Sequence, residues 1–408
     1  MRKTKLALYA VLSLCTALTA QWVSIGPHGG PIYCGTVTPG IPPALYVAST
    51  NTNYPLLKST DYGATWTTTA AALTNYPRML VPHPTDPNRL YGIVSSTFYR
   101  TTNGGVSWTT SSLGTNTNGN DIAINPLNPD VIYVVCYKYD GAAWKPTSAK
   151  STNGGSTWVT TQLDTLTSST MYSCAIDPVD TNVIYMGGYV NGMTAVYKST
   201  DCGSTWTLCT FPANYNYVYS LFVSPVDHNI VFAGALSGIC RSTDAGATWT
   251  RVSTASYNYR IVAAPDNPDI MYSAAYSSVY RSTNAGLAWT IAGSGIQGTT
   301  IRTVLAPPGA SGTVLAGSTA GMFKSTDYGA TWTAANSGIT IGKIPVVAVN
   351  PHEPATVLAE FTDNDVFKTT DDGITWAPQN TPLSCGSVCA IAFDRNNAQR
   401  IWMLEGSG

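Results

Sequence analysis

One octet recurs eight times along the 408 residues, and its spacing constrains the fold more than any other feature. It reads STDYGATW at 59–66, TTNGGVSW at 101–108, STNGGSTW at 151–158 and STDCGSTW at 199–206. The later copies are STDAGATW, STNAGLAW, STDYGATW and TTDDGITW, ending at Trp249, Trp289, Trp332 and Trp376. Successive tryptophans lie 40 to 50 residues apart, a period that marks a solenoid, propeller or array.

The octet has a physical rationale. Its third residue (Asp61, Asn103, Asn153, Asp201, Asp244, Asn284, Asp327, Asp371) accepts hydrogen bonds from nearby backbone N–H groups and so caps a tight turn. Its fifth is always Gly, which supplies a positive φ at little cost. The closing Trp carries the large apolar surface expected to pack one unit on the next.

Upstream of each octet an apolar run, a Pro/Asp/Asn turn and a second apolar run recur, as in IAINPLNPDVIYVV and CAIDPVDTNVIYMGG. Each unit therefore reads as strand A, turn, strand B, loop, strand C, octet turn and strand D. The expected fold is all-β, a propeller of four-stranded antiparallel blades. Residues 21–25 match a strand D, while 388–393 and 400–404 match strands A and B of a ninth unit. Either these ends combine into a closing blade or the chain is a piece of a longer polypeptide, which leaves eight or nine blades open.

The repeat resembles the Asp-box, or BNR, repeat of sialidases, the sortilin ectodomain and xyloglucanases. That resemblance implies a β-propeller and, because such folds host unrelated functions, no single activity. The Arg-Ile-Pro segment of sialidases has no counterpart, since Arg260-Ile261-Val262 comes late and lacks the Pro. Gly26-Pro27-His28-Gly29-Gly30 resembles the Gly-rich opening of xyloglucanases, but no acid precedes Asp61.

Residues 1–20 have the layout of a secretory signal peptide: MRKTK, an apolar stretch, then small residues at ALTA. The expectation is one propeller domain over 21–408, secreted or at the cell surface, with no transmembrane segment in the mature chain. Only 11% of residues are charged and the net charge is −1, which excludes the basic field that nucleic acid requires. Outside the leader stand Cys34, Cys136, Cys174, Cys202, Cys209, Cys240, Cys385 and Cys389, an even number that permits structural disulfides in an exported chain. No metal cluster, cofactor motif or catalytic triad is visible.

Alternation of strand direction puts the D-to-A and B-to-C loops on one face and the Asp boxes with the A-to-B turns on the other. The variable loops are the expected site, and they are rich in Tyr, Asn and Arg. Tyr76, Arg78, Tyr139, Trp144, Tyr172, Tyr215, Tyr217, Tyr257, Tyr259 and Arg260 are the candidate ligand-binding residues, with Arg302 in a comparable place. Flat rings beside amides and guanidinium groups suit a glycan or an extracellular protein. The leading expectation is a non-catalytic binding module. One alternative is a glycoside hydrolase acting on a polysaccharide, for which Asp140 and Asp164 on neighbouring blades are the candidate acids, among loop-face acids that include Asp121, Glu360, Asp363 and Asp365. A second alternative is a structural spacer.

Overall fold

The structure, a computed structural model, describes residues 30–49, 56–69, 73, 75–166, 168–212, 215–296, 300–337, 339, 346–361, 365–371, 376–379, 388–394 and 397–405. The expected leader, the strand at 21–25, Asp363 and Cys385 lie outside them.

Eight four-stranded antiparallel sheets follow one another, each with its strands in the order A, B, C, D. Strand A is Ile32–Val37, Met79–Pro82, Thr117–Ile124, Thr170–Ile176, Val218–Val223, Arg260–Ala264, Ile301–Leu305 and Val346–Val349 in blades 1 to 8. A two-stranded sheet, Val388–Asp394 with Asn397–Glu405, matches the A and B strands expected of a ninth unit.

The octets fold as their chemistry dictates. In blade 4, Asp201 Oδ1 accepts from the N–H groups of Ser204 and Thr205 at 3.0 and 2.8 Å, while Thr205 Oγ1 donates to Oδ2 at 2.6 Å. Ser199 Oγ donates to Asp201 and accepts from the Gly203 N–H, both at 2.8 Å. An Asn serves equally: Asn153 Nδ2 donates to Thr157 Oγ1 at 2.8 Å, the hydroxyl reversing its role. The residue before the Gly is left-handed as well, at φ 56° for Tyr62 and 58° for Cys202, which the sequence pattern does not disclose.

In blades 2 to 7 the box lies against the preceding blade. Gly155 of blade 3 sits so close to Phe98 of blade 2 that a Cβ would come within 2.2 Å of the ring, so this glycine serves close approach as well as its φ of 81°. Tyrosines on strand B complete the seam: Tyr133 and Tyr185 donate to the carbonyls of Cys202 and Ala245 in the next box, at 2.8 and 2.9 Å.

These relations close a ring of seven. Strand A of each blade packs on strand A of the next from blade 1 to blade 7, and strand A of blade 7 packs back on strand A of blade 1. Trp66 of blade 1 is buried in one core cluster with Leu305, Leu315 and Met322 of blade 7. Gly63 lies on Leu315 as Gly155 lies on Phe98. Among the described residues no closing blade stands between blades 1 and 7, whose A strands pack directly on each other, so the alternative in which the ninth unit seals the ring is not what these contacts show. Ile391 of that unit packs instead on Leu358 and Val366 of blade 8.

Backbone N–H groups of the boxes donate to the A-to-B turns, as Gly154 to Asp130 and Cys202 to Asn182, which puts boxes and turns on one face as expected. Cys34, Cys136, Cys174, Cys202, Cys209 and Cys240 are free thiols, and none of these forms the disulfide the sequence permitted. Cys34, Cys136 and Cys174 are buried on inner or adjoining strands of different blades, where they serve as small apolar groups. Among the described residues no helix is long and apolar enough to cross a membrane.

Candidate functional site

At the loop face the central channel opens into a cavity of about 230 Å³. Its rim takes one side chain from each blade of the ring: Tyr33, Arg78, Asn120, Tyr172, Tyr219, Tyr259 and Arg302. In blades 1, 3, 4, 5 and 7 this residue stands where the pairing of strand A with strand B slips by one, between Ile32 and Cys34, beside Asp121, and at Tyr172, Tyr219 and Arg302. A bulge inserts one unpaired residue and turns its side chain away from the sheet, here into the channel mouth. The same irregularity repeated around the axis builds the site.

Ring contacts join most of the rim. Arg78 Nη1 donates to the Tyr33 hydroxyl at 3.0 Å. The guanidinium of Arg302 lies 5.9 Å from the Tyr33 ring centre and 4.6 Å from that of Tyr259. Tyr259 is 5.3 Å from Tyr219, and Tyr219 is 5.1 Å from Tyr172. Burial raises the hydroxyl of Tyr172 to about 12 and lifts that of Tyr259, where Arg302 opposes the rise, so these phenols are neutral donors at ordinary pH.

Beneath the rim a second layer stitches the blades. Ser173 Oγ and the Cys174 N–H donate to Asp121 Oδ2, each at 3.0 Å, and Asp121 Oδ1 accepts from the Ile122 N–H at 2.8 Å. The Leu221 N–H donates to Ser173 Oγ, and the Ile261 N–H to Ser220 Oγ. Burial raises the Asp121 carboxyl, against which the Arg260 charge and these donors act. Asp121 is thus a seam residue rather than a loop-face acid. Arg260 lies in this layer, lining both the mouth and a more apolar cavity at the other end of the channel.

Of the expected binding residues, Arg78, Tyr172, Tyr259 and Arg260 meet in the cavity. Tyr76 backs it, its ring 5.3 Å from Tyr33. Tyr217 and Tyr257 flank it: Tyr217 stacks on Tyr219 at 5.8 Å and Tyr257 on Tyr219 at 6.1 Å. Tyr257 also reaches Tyr276 at 5.3 Å, so exposed rings continue outward along blade 6. Tyr215 is elsewhere, packed with Phe211 and Trp249 in the core between blades 4 and 5. Tyr139 and Trp144 pair with each other at 5.4 Å in the outer hairpin of blade 3 and do not line the cavity.

The candidate acids are not in the cavity either. Asp140 Oδ1 accepts from the Ala142 and Ala143 N–H groups at 2.9 Å each, capping its own hairpin, and these bonds hold its carboxyl below the usual range. Asp164 accepts from the Leu166 N–H at 3.3 Å and the Tyr197 hydroxyl at 3.5 Å. Lys145 connects the two loops, 3.9 Å from Asp140 Oδ2 and donating to the Thr165 carbonyl at 3.0 Å. Glu360 is buried in strand B of blade 8. Sequence reasoning missed Tyr33 and Asn120, whose surroundings carry no loop signal. Among the described residues no three His, Cys, Asp or Glu gather as a metal site.

The family model described as "Sortilin, neurotensin receptor 3" matches residues 54–187. A xyloglucanase from Paenibacillus sp is 37% identical over 95 residues, 20% of this chain and 9% of its own length. A xyloglucanase from Acetivibrio thermocellus is 37% identical over 97 residues, 20% of this chain and 12% of its own. The matches thus span a small part of these relatives. Among solved structures, an ancestral GH74 enzyme superposes with a TM-score of 0.69 at 19% identity, over 91% of this chain and 57% of that one. The extracellular domain of a putative one component system from B. thetaiotaomicron gives 0.54 at 14% identity, over 92% of this chain and 50% of its own. The chain folds as a β-propeller of Asp-box repeats, similar to the sortilin family model over 54–187 and to xyloglucanases over about a fifth of its length.

Proposed function

We propose that this protein acts outside the cell on a polysaccharide, which it grips at the loop-face mouth of its channel. The observation that carries this reading is the rim itself, with four tyrosines and two arginines among its seven side chains. Sugar C–H faces stack on aromatic rings while hydroxyls pair with amides, guanidinium groups and phenols. The exposed rings of Tyr257 and Tyr276 extend the surface outward, which suits a chain of sugars better than a single one.

Whether the glycan is also cut divides two readings. The names of the relatives favour a glycoside hydrolase over binding without catalysis. Hydrolysis calls for two carboxyl groups flanking the scissile bond, and among the described residues no carboxylate lines this cavity. On the hydrolase reading the mouth is a gripping subsite, and Asp140 and Asp164 remain the candidate acids.

Affinity electrophoresis and reducing-end release on one panel of polysaccharides test both readings. Retardation that Tyr219→Ala and Tyr259→Ala abolish is the expected result. Reducing ends that vanish with Asp140→Asn or Asp164→Asn establish the hydrolase. Retardation without release leaves a binding module, and neither effect removes the glycan reading in favour of the spacer.

A further inference from the structure

We propose that the opposite end of the channel is a second binding site, which takes a basic polypeptide segment by one bulky apolar side chain. This site lies on the Asp-box face and is independent of the glycan reading. The cavity there measures about 520 Å³, against about 230 Å³ at the mouth. The ends of the A strands and the A-to-B turns build its wall, with Val37, Phe222, Pro225, Val262, Pro265 and Val304 among the lining. Among the described residues only Thr36 and Arg260 bring polar side chains to it. Arg260 closes the inner end, where its charge and that of the buried Asp121 act on each other. A cavity of this size and lining accepts an aromatic or branched aliphatic group.

The surface around the opening is apolar as well. Ile41, Leu127, Val179 and Val226 stand on the A-to-B turns of blades 1, 3, 4 and 5, each 61 to 74% exposed. Aliphatic groups held in water around a concave apolar site are the mark of an interaction surface.

Charge selects the occupant. The A-to-B turns of blades 3 to 6 carry Asp130, Asp180, Asp227 and Asp266, none of them ion-paired among the described residues. Their partners are neutral: Asp180 and Asp227 accept from the amides of Asn182 and Asn229, and Asp266 accepts from the hydroxyls of Ser311 and Tyr328. The cations of the same turns are already taken, Arg89 by Asp86 at 3.5 Å and His228 by Asp177 at 2.8 Å. Those of strand C, Arg100, Lys150, Lys198 and Arg281, donate to box carbonyls at 3.0, 2.8, 2.7 and 2.8 Å. Such a field attracts cations and repels anions. The acids stand on successive turns, so they match charges spaced along an extended chain better than one compact cation.

Fluorescence anisotropy of the full chain with a labelled peptide, a phenylalanine flanked on each side by lysines, tests this. The controls are the same peptide with glutamates for the lysines and with alanine for the phenylalanine. They leave the protein unaltered, so the test does not rest on a variant that folds. The expected result is binding about tenfold or more tighter than either control, weakening as salt is added. Ala306→Trp, which fills the cavity with a neutral ring, is expected to abolish it. Asp227→Asn, which keeps the acceptor for the Asn229 N–H, is expected to weaken it by about twofold to fivefold. Equal binding of either control, or binding that Ala306→Trp leaves unchanged, overturns the proposal. Capture by neutral phosphatidylcholine vesicles without peptide binding assigns the aliphatic tips to a lipid surface, and a dimer in solution that Val226→Lys dissolves assigns them to a second copy. In both cases the peptide reading falls.

Discussion

The indole Nε1 of Trp66 donates to the carbonyl of Ala335 at 3.0 Å, across 269 residues of chain. The equivalent bond within the series, from Trp332 to the Ala292 carbonyl at 3.2 Å, spans 40. Blade 1 therefore treats blade 7 as its predecessor, and this contact is where a linear array becomes a ring.

Trp66 is 2% exposed and lies in the shared core of blades 1 and 7, so its truncation attacks the seam rather than one blade. Trp66→Ala is expected to destabilise by about 3–5 kcal/mol, and Trp66→Phe by less, since the ring volume remains while one hydrogen bond is lost. Thermal unfolding gives the size of the effect. Hydrogen exchange locates it: faster exchange in strand A of blades 1 and 7, with blades 3 to 5 unchanged, is the signature of an opened seam.

How much of this was legible in the sequence follows from the range of each interaction. The boxes were legible because Asp201, Ser199, Gly203 and Thr205 satisfy one another within seven residues. Closure was not, because every octet carries the same Trp and nothing local tells Trp66 to seek Ala335. Arg78, Tyr172, Tyr259 and Arg260 were found because variable loops precede them. Tyr33 and Asn120 were hidden because bulges are set by pairing with strand B. Tyr215 misled, since a tyrosine cluster reads the same whether a ring faces the mouth or fills the gap beside Trp249.

The Asp boxes make the fold sensitive to acid. Hydrogen bonds from Thr205 and Thr248 hold Asp201 and Asp244 at about 2, below the ordinary 3.8. A carboxyl depressed on folding contributes stability that is present above the unfolded value and is lost as pH falls through the folded one. Melting temperature is therefore expected to fall between about pH 4 and pH 2. Asp201→Asn should hold at neutral pH, because Asn153 serves the same turn, and should flatten the acid limb. An unaltered limb in Asp201→Asn with Asp244→Asn would count against the boxes as its cause.

His228 and Asp177 act at the opposite end of the pH range. His228 Nδ1 lies 2.8 Å from Asp177 Oδ2, joining the A-to-B turns of blades 5 and 4, and this bond raises the imidazole above its ordinary 6.5. A histidine raised on folding contributes stability that is present below the unfolded value and is lost as pH rises through the folded one. Wild type is expected to exceed His228→Gln in melting temperature below about pH 6.5, with the gap closing toward pH 9. A gap independent of pH would assign the effect to packing.

Asn258 connects the scaffold to the site. It is fully buried, and its amide donates to the carbonyls of Ala235 and Ala255 at 3.0 and 2.6 Å while its oxygen accepts from Ser273 Oγ at 2.9 Å. Its chain neighbours are Tyr257, held at a φ of 56°, and Tyr259, so one side chain fixes the loop that presents both rings. Asn258→Ala leaves buried carbonyls and a hydroxyl short of partners, at an expected cost of about 1–3 kcal/mol. The larger effect should be on binding, since both rings lose their anchor at once. Glycan affinity is expected to drop as far in Asn258→Ala as in Tyr259→Ala, at a temperature where both variants are folded by circular dichroism. Unchanged affinity in a folded Asn258→Ala would mean that the loop before strand A of blade 6 keeps Tyr257 and Tyr259 in place without this side chain.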